Sequence, residues 1–282
     1  RKITWRLIPF LCLCYLAAYL DRINIGLAKL QMANDLQLSE TAFGLGAGLF
    51  FVGYILFEVP SNLILQRVGA SVWIARIMIS WGLLSAATLM VQTPSQFYAL
   101  RFFLGVAEAG FLPGVLFYLT RWYPSWRRGR IIALFMIGLP LSSLIGGPLS
   151  GWIMTHFDQL HGLRGWQWMF LLEGLPSVLL GVLTFWLLPN SVESASWLSS
   201  SEKQAVLREL ARDEGDAKGL KHSLRDGLLN IRVVMLGGID FSILLSAYAM
   251  GFWMPTFIKN AGTTDITTIG YLTAIPSLAA LI

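Results

Sequence analysis

Apolar residues collect in long blocks along this chain, roughly Leu7 to Lys29, Thr41 to Leu65, Val72 to Val91, Gln96 to Arg121, Ile131 to Phe157 and Trp166 to Leu188. A polar stretch from Pro189 to Asn230 follows, then a seventh block from Val233 to Ile258 and an eighth, cut short, after Ile266. At ~1.5 Å per helical residue, each of the first seven blocks is long enough to cross a ~30 Å hydrocarbon core. Blocks of this length predict helices rather than a β-barrel. The expected architecture is an all-α polytopic membrane protein with six spans over 1–188, a connection over 189–230 and the start of a second bundle over 231–282. Within the connection, Ser200 to Asp213 opens with Ser and Glu and repeats apolar residues at Ala205, Leu207 and Leu210, which predicts a helix lying on the membrane surface.

Composition agrees: 55% of the 282 residues are hydrophobic and only 13% charged, so a fully water-solvated protein is excluded. The chain opens at Arg1 and stops at Ile282 inside an apolar run, so it reads as a piece of a longer sequence. Its first block runs into Asp21 and Arg22 without a small-residue cleavage site, which marks a span and not a signal peptide. The formal charge of +5 does not point to nucleic acid, because the basic residues sit in short loops. Sixteen of them, including Arg67, Arg121, Arg127, Arg128 and Arg130, fall on one side and three, Lys29, Arg164 and Lys259, on the other. That bias places the N-terminus and the connection in the cytoplasm.

Small residues mark expected packing seams at Gly44 and Gly48, at Gly138, Ser142 and Gly146, and at Gly147 and Gly151. Gly146, Gly147 and Pro148 together predict a bend. Cys12 and Cys14, two apart on a helix, point away from each other and are expected as free, buried thiols.

Four charges fall deep in apolar blocks: Asp21 and Arg22 in the first span, Arg101 and Glu108 in the fourth. At ~2.5–3.5 kcal/mol each near the bilayer centre, four bare charges cost roughly 10–14 kcal/mol, so they must face one another or water. Arg101, Gly105 and Glu108 share one helical face, and Tyr15, Tyr19, Arg22 and Gly26 form a stripe on the first span. Asp21, about a third of a turn from Arg22, looks toward a different neighbour. Two ion pairs that only pin helices together are one reading. Buried pairs stabilise poorly compared with apolar packing, however, which favours a functional one. In it, Arg22 grips a carboxylate with its planar fork while the acids carry protons.

Tyr54 and Tyr248 are candidates to line a cavity or simply to pack. Glu58 is expected to pair with a loop arginine, and Glu173 and Asp240 are read as structural. His156 and His161 do not share a helical face, so no metal site is expected, and no cofactor either. No G-x-S-x-G, H-E-x-x-H or phosphate-cradling loop is present, so an enzyme or an ATP-driven pump is not expected.

The strings YLDRINIGLA (19–28), GYILFEVPSNLILQRVGA (53–70), RFFLGVAEAGFLPG (101–114), RWYPSWRRGR (121–130), GWQWMFLLEGLPS (165–177) and WLSSSEK (197–203) together resemble the anion:cation symporter family of the major facilitator superfamily. Within it they are nearest in wording to bacterial tartrate-type carriers, with phthalate, galactonate and hydroxyphenylacetate carriers as relatives. The resemblance implies a major-facilitator fold of two six-helix halves in the inner membrane, of which this chain holds the first half and the first one to two helices of the second. It implies a proton-coupled symporter of small organic anions, acting as a monomer. Arg22 is then the substrate-carboxylate ligand, with Tyr19, Tyr54 and Tyr248 around it, Asp21 and Glu108 are the protonation sites, and Arg101 is the partner of the first-span acid. The superfamily's loop motif after the second span has an acid before its arginine, whereas Gln66 precedes Arg67 here. The alternative is a transporter-like receptor that binds an organic acid without moving it.

Overall fold

The computed structural model describes residues 1–217 and 230–279, in which all regular structure is helical. In chain order the helices are α1 (Lys2–Asp35), α2 (Glu40–Val68), α3 (Ala70–Ala87), α4 (Pro94–Glu108), α5 (Phe111–Thr120), α6 (Ser125–Met136), α7 (Gly138–His156), α8 (Gly165–Leu187), α9 (Ser200–Ala217), α10 (Ile231–Asn260) and α11 (Ile266–Ala279). Among the described residues, seven stretches are long and apolar enough to cross a membrane, with α4–α5 and α6–α7 each counted as one. Every predicted block finds its helix within a few residues. Residues 218–229 of the connection and 280–282 of the last block lie outside the described residues.

The fourth and fifth blocks are each two helices where one is expected. In the fourth, Gly110 takes φ +88°, a conformation that favours glycine, and ends the helix just after Glu108. Pro113 has no N–H to offer the Ala109 carbonyl, which accepts instead from Ser61 Oγ at 2.7 Å. Trp73 Nε1 donates to the same Ser61 hydroxyl at 2.9 Å, and Arg76 donates to the Ala107 carbonyl at 3.3 Å. In the fifth block the interruption falls at Ile137, because Pro140 cannot donate to the Met136 carbonyl. The helix runs unbroken through the predicted bend at Gly146 to Pro148.

Helix α1 lies against α7, α8 and α10, while α2 pairs with α4, α3 with α8, and α7 with α11. The α3–α8 crossing is closest at Gly82 and Gly174: a Cβ on Gly82 would lie 2.8 Å from the Gly174 carbonyl oxygen, and one on Gly174 2.9 Å from that of Gly82. Gly138 and Gly146 face α1, and Gly147 and Gly151 face α11, as their spacing predicts. On α2 the seam differs from expectation. Gly48 meets nothing and Gly44 only the Trp253 ring, whereas Gly46 and Gly53, two turns apart on one face, meet α4.

Two apolar cores fill the bundle. One surrounds Trp81, Phe111, Tyr118, Trp122 and Phe135, and the other Phe43, Phe97, Trp166, Phe170 and Phe252. Helix α9, the predicted surface helix, begins with a capping box in which Ser199 Oγ accepts from the Glu202 N–H and Glu202 accepts from the Ser199 N–H. It docks on the bundle through Lys2–Glu202 at 2.8 Å and Arg128–Asp213 at 2.9 Å. Hydrogen bonds from the Ser125 hydroxyl and N–H, together with the Arg128 charge, hold the Asp213 carboxyl below its usual range. Cys14 is buried as expected, but Cys12 is half-buried with its thiol against the Leu134 carbonyl.

Candidate functional site

The site is built on the run Asp21-Arg22-Ile23-Asn24, in which successive side chains turn by about 100° around α1, so that Asp21 and Arg22 face different neighbours. Arg22 points toward α2, α4 and α10. Its Nη2 pairs with Glu108 Oε1, its Nη1 donates to the Tyr248 hydroxyl, and its guanidinium lies 5.5 Å from the Phe50 ring, 5.3 Å from Tyr54 and 5.9 Å from Tyr248. Its Nε is buried without a partner among the described residues. Glu108 is 3% exposed and stands at the last position of α4, where the glycine break frees the chain to turn. The α2–α4 seam at Gly53 and Gly105 brings these helices close enough for Phe50 and Tyr54 to reach the arginine.

Asp21 turns the other way, as its azimuth predicts. It accepts hydrogen bonds from Trp81 Nε1 at 2.7 Å, Ser177 Oγ at 2.9 Å and Ser85 Oγ at 3.0 Å, all buried side chains of α3 and α8. Asp21 and Arg101, paired by the resemblance, are therefore not brought together. Arg101 is 1% exposed, lies 4.8 Å from the Phe50 ring and leaves Nε and Nη2 without partners among the described residues. The physical reason is rotational: Arg101 shares its α4 face with Glu108, which meets Arg22, while Asp21 faces α3 and α8.

Asn24, three residues on from Asp21, shares its face. Its Nδ2 donates to Glu173 Oε2 at 2.9 Å, and Ser150 Oγ donates to Glu173 Oε1 at 2.6 Å. A cavity of about 260 Å³ opens between α1, α7, α10 and α11, with Tyr19, Asn24, Ser150, Tyr248 and Thr273 in its wall. Arg22 reaches it through Tyr248, while Tyr54 stays behind on the guanidinium.

Other expectations are corrected. Glu58, half-buried on α2, forms no ion pair among the described residues. Asp240 is exposed on α10 among the described residues. Lys29, counted among loop charges, is 4% exposed, pairs with Glu40 and lies 4.9 Å from the Phe43 ring and 5.3 Å from the Trp253 ring. Sequence reasoning missed Asn24 and the group Ser61, Trp73 and Arg76 that braces the break after Glu108. Asn24 was accessible through its i, i+3 relation to Asp21, and the break through Gly110 and Pro113.

The profile of the Major Facilitator Superfamily matches residues 11–282. The protein named "Putative metabolite transport protein NicT" of Pseudomonas putida is 74% identical over 280 residues, covering 99% of this chain and 64% of that protein. One named "Putative tartrate transporter" of Agrobacterium vitis is 47% identical over 281 residues, covering 100% and 64% respectively. This chain thus spans a little under two thirds of the length of these relatives. Among solved structures, a bacterial homologue of the human lysosomal transporter Spinster, in an inward-facing and unoccupied conformation, superposes with a TM-score of 0.76 at 16% identity, over 99% of this chain and 60% of that one.

Proposed function

Because the chain belongs to the Major Facilitator Superfamily, we propose that the full protein is a proton-coupled secondary transporter of small organic anions, which alternates access by rocking residues 1–188 against a second bundle that residues 231–282 begin. The observation that carries this reading is the setting of Arg22. It is a mid-span arginine whose acid partner, Glu108, comes from α4 and whose hydroxyl partner, Tyr248, comes from α10 beyond the connection. Its planar fork suits a carboxylate, and rocking α10 away changes what the fork can hold. A substrate carboxylate that takes over Arg22 displaces Glu108, which then keeps its place in the low-dielectric interior by taking a proton. Binding of anion and proton are linked, the requirement for symport. The relatives named for tartrate, at 47% identity, support a hydroxy-acid or sugar-acid substrate. In this reading the protein lies in the inner membrane as a monomer, with the N-terminus and the α9 side in the cytoplasm; Tyr19 lines the substrate cavity and Tyr54 backs the Arg22 guanidinium.

Glu108→Gln in the full-length protein tests the coupling. The amide mimics the protonated acid, so the variant exchanges tartrate across proteoliposome membranes but no longer accumulates it under an inward proton gradient. Accumulation equal to the parent's removes Glu108 as the coupling acid and passes the role to Asp21. A parent that binds tartrate without accumulating it would mark a receptor instead.

A further inference from the structure

Glu173, like Asp21, is a buried acid held only by neutral groups. It is 4% exposed, accepts from Asn24 Nδ2 at 2.9 Å and Ser150 Oγ at 2.6 Å, and forms no ion pair among the described residues. Both partners also line the cavity between α1, α7, α10 and α11. Asn24 is 1% exposed, yet its Oδ1 has no hydrogen-bond partner among the described residues, although a buried amide oxygen normally finds one. A carboxylate can only accept, so it fixes the Asn24 amide with its NH2 toward Glu173 and leaves its oxygen, itself buried, on the other side of a residue that lines the cavity. A protonated carboxyl has a hydroxyl to donate; on the Oε2 side, where Asn24 Nδ2 now donates, the acceptor is the same amide turned by half a rotation, while Ser150 Oγ keeps donating to Oε1. The turn exchanges the atom on the side away from Glu173: oxygen while Glu173 is charged, NH2 once it is neutral.

We propose that Glu173 and Asn24 form a proton-operated switch of hydrogen-bond polarity in the cavity wall, set to donate to an oxyanion or hydroxyl oxygen of the substrate only when Glu173 carries a proton. The proton comes from cavity water, Glu173 loses its negative charge, and no bond other than hydrogen bonds changes. Asp21, three residues earlier on α1, is the charged group that faces Glu173. The side chains beside the two acids are Trp81 and Ser85 from α3, Ser150 from α7, and Ser177 on α8 itself, none of which carries a charge. Charged Glu173 repels an anion twice, through its own charge and through the amide oxygen it turns away from itself. Protonation removes both, so the switch couples one proton to one anion independently of Glu108.

The inference rests on the anion-transport reading, and its test separates the two. In the full-length protein, tartrate affinity is measured against pH for the parent, Glu173→Gln, Asn24→Leu and the double variant. The Gln side chain donates permanently to Asn24 Oδ1, so in E173Q the slope of log Kd against pH falls by about one proton. N24L loses the same increment, and adding E173Q to it changes nothing further. An E173Q protein with weakened binding but the parent's slope would make Glu173 structural and overturn the switch. Infrared difference spectra across roughly pH 5 to 9 give a readout that needs no substrate. A protonated-carboxyl band that titrates in the parent and in E108Q, and is absent from E173Q, supports the switch; no such difference between parent and E173Q overturns it. A parent that binds no tartrate while the band titrates as expected counts against the substrate class and not against the switch.

Discussion

Arg22 is held by a carboxylate, a hydroxyl and three aromatic faces, and only a planar guanidinium meets all of them at once. Lysine keeps the charge but offers a point donor with no fork and little ring stacking. Arg22→Lys in the full-length protein is therefore expected to lower tartrate affinity by at least about tenfold, or ~1.4 kcal/mol, by calorimetric titration. Affinity close to the parent's would take Arg22 out of the anion site. That these four deep charges matter was legible from their cost in lipid alone. Which acid meets which base was not: two acids and two bases allow two pairings, and the azimuths of α1 and α4 select Arg22 with Glu108. Asp21 is left to Trp81, Ser85 and Ser177, three neutral donors that no charge pattern announces.

At the scale of elements, the interruptions are where local sequence and distant partners meet. Gly110 and Pro113 permit the break after Glu108, but Ser61 of α2 and Arg76 of α3 accept its freed geometry, from 48 and 31 residues away along the chain. Helix α9 shows the same division. Its apolar repeat and its start at Ser200 are readable directly, whereas its attachment depends on Asp213 receiving Ser125 and Arg128. The Asp213 carboxyl is held below its usual range, so its contribution to docking is fully present above the ordinary aspartate range and is lost only as pH falls through the lowered value. Docking is thus insensitive to pH near neutrality. Asp213→Asn removes the charge at every pH, and limited proteolysis of the 189–230 connection should be faster in this variant at neutral pH. An unchanged cleavage rate would show that Lys2–Glu202 and the Trp122–Trp197 stack suffice to hold the helix.

For the whole molecule, the excess of basic residues on the α9 side sets the expected orientation. Ser201 is exposed on that side, which makes it a reporter. In a Cys12→Ala, Cys14→Ala background, Ser201→Cys should react with a membrane-impermeant maleimide in inside-out vesicles and stay unlabelled in intact cells; labelling from outside would invert the topology. At the opposite end, Lys29 and Glu40 of the first unit meet Trp253 of α10, so the two parts of the chain touch through a charge that its position beside a loop had concealed. The number of spans, their order, the surface helix and the small-residue faces of α7 were determined by the sequence itself, because hydrophobicity and spacing act locally and sum along each segment. The pairing of Arg22 with Glu108, the burial of Lys29, the bracing of the fourth-span break by Ser61 and Arg76 and the joining of Asn24 to Glu173 were decided only by the tertiary structure. Each depends on how far a helix is rotated about its axis and which neighbour lies opposite, and these are set by packing among many helices at once.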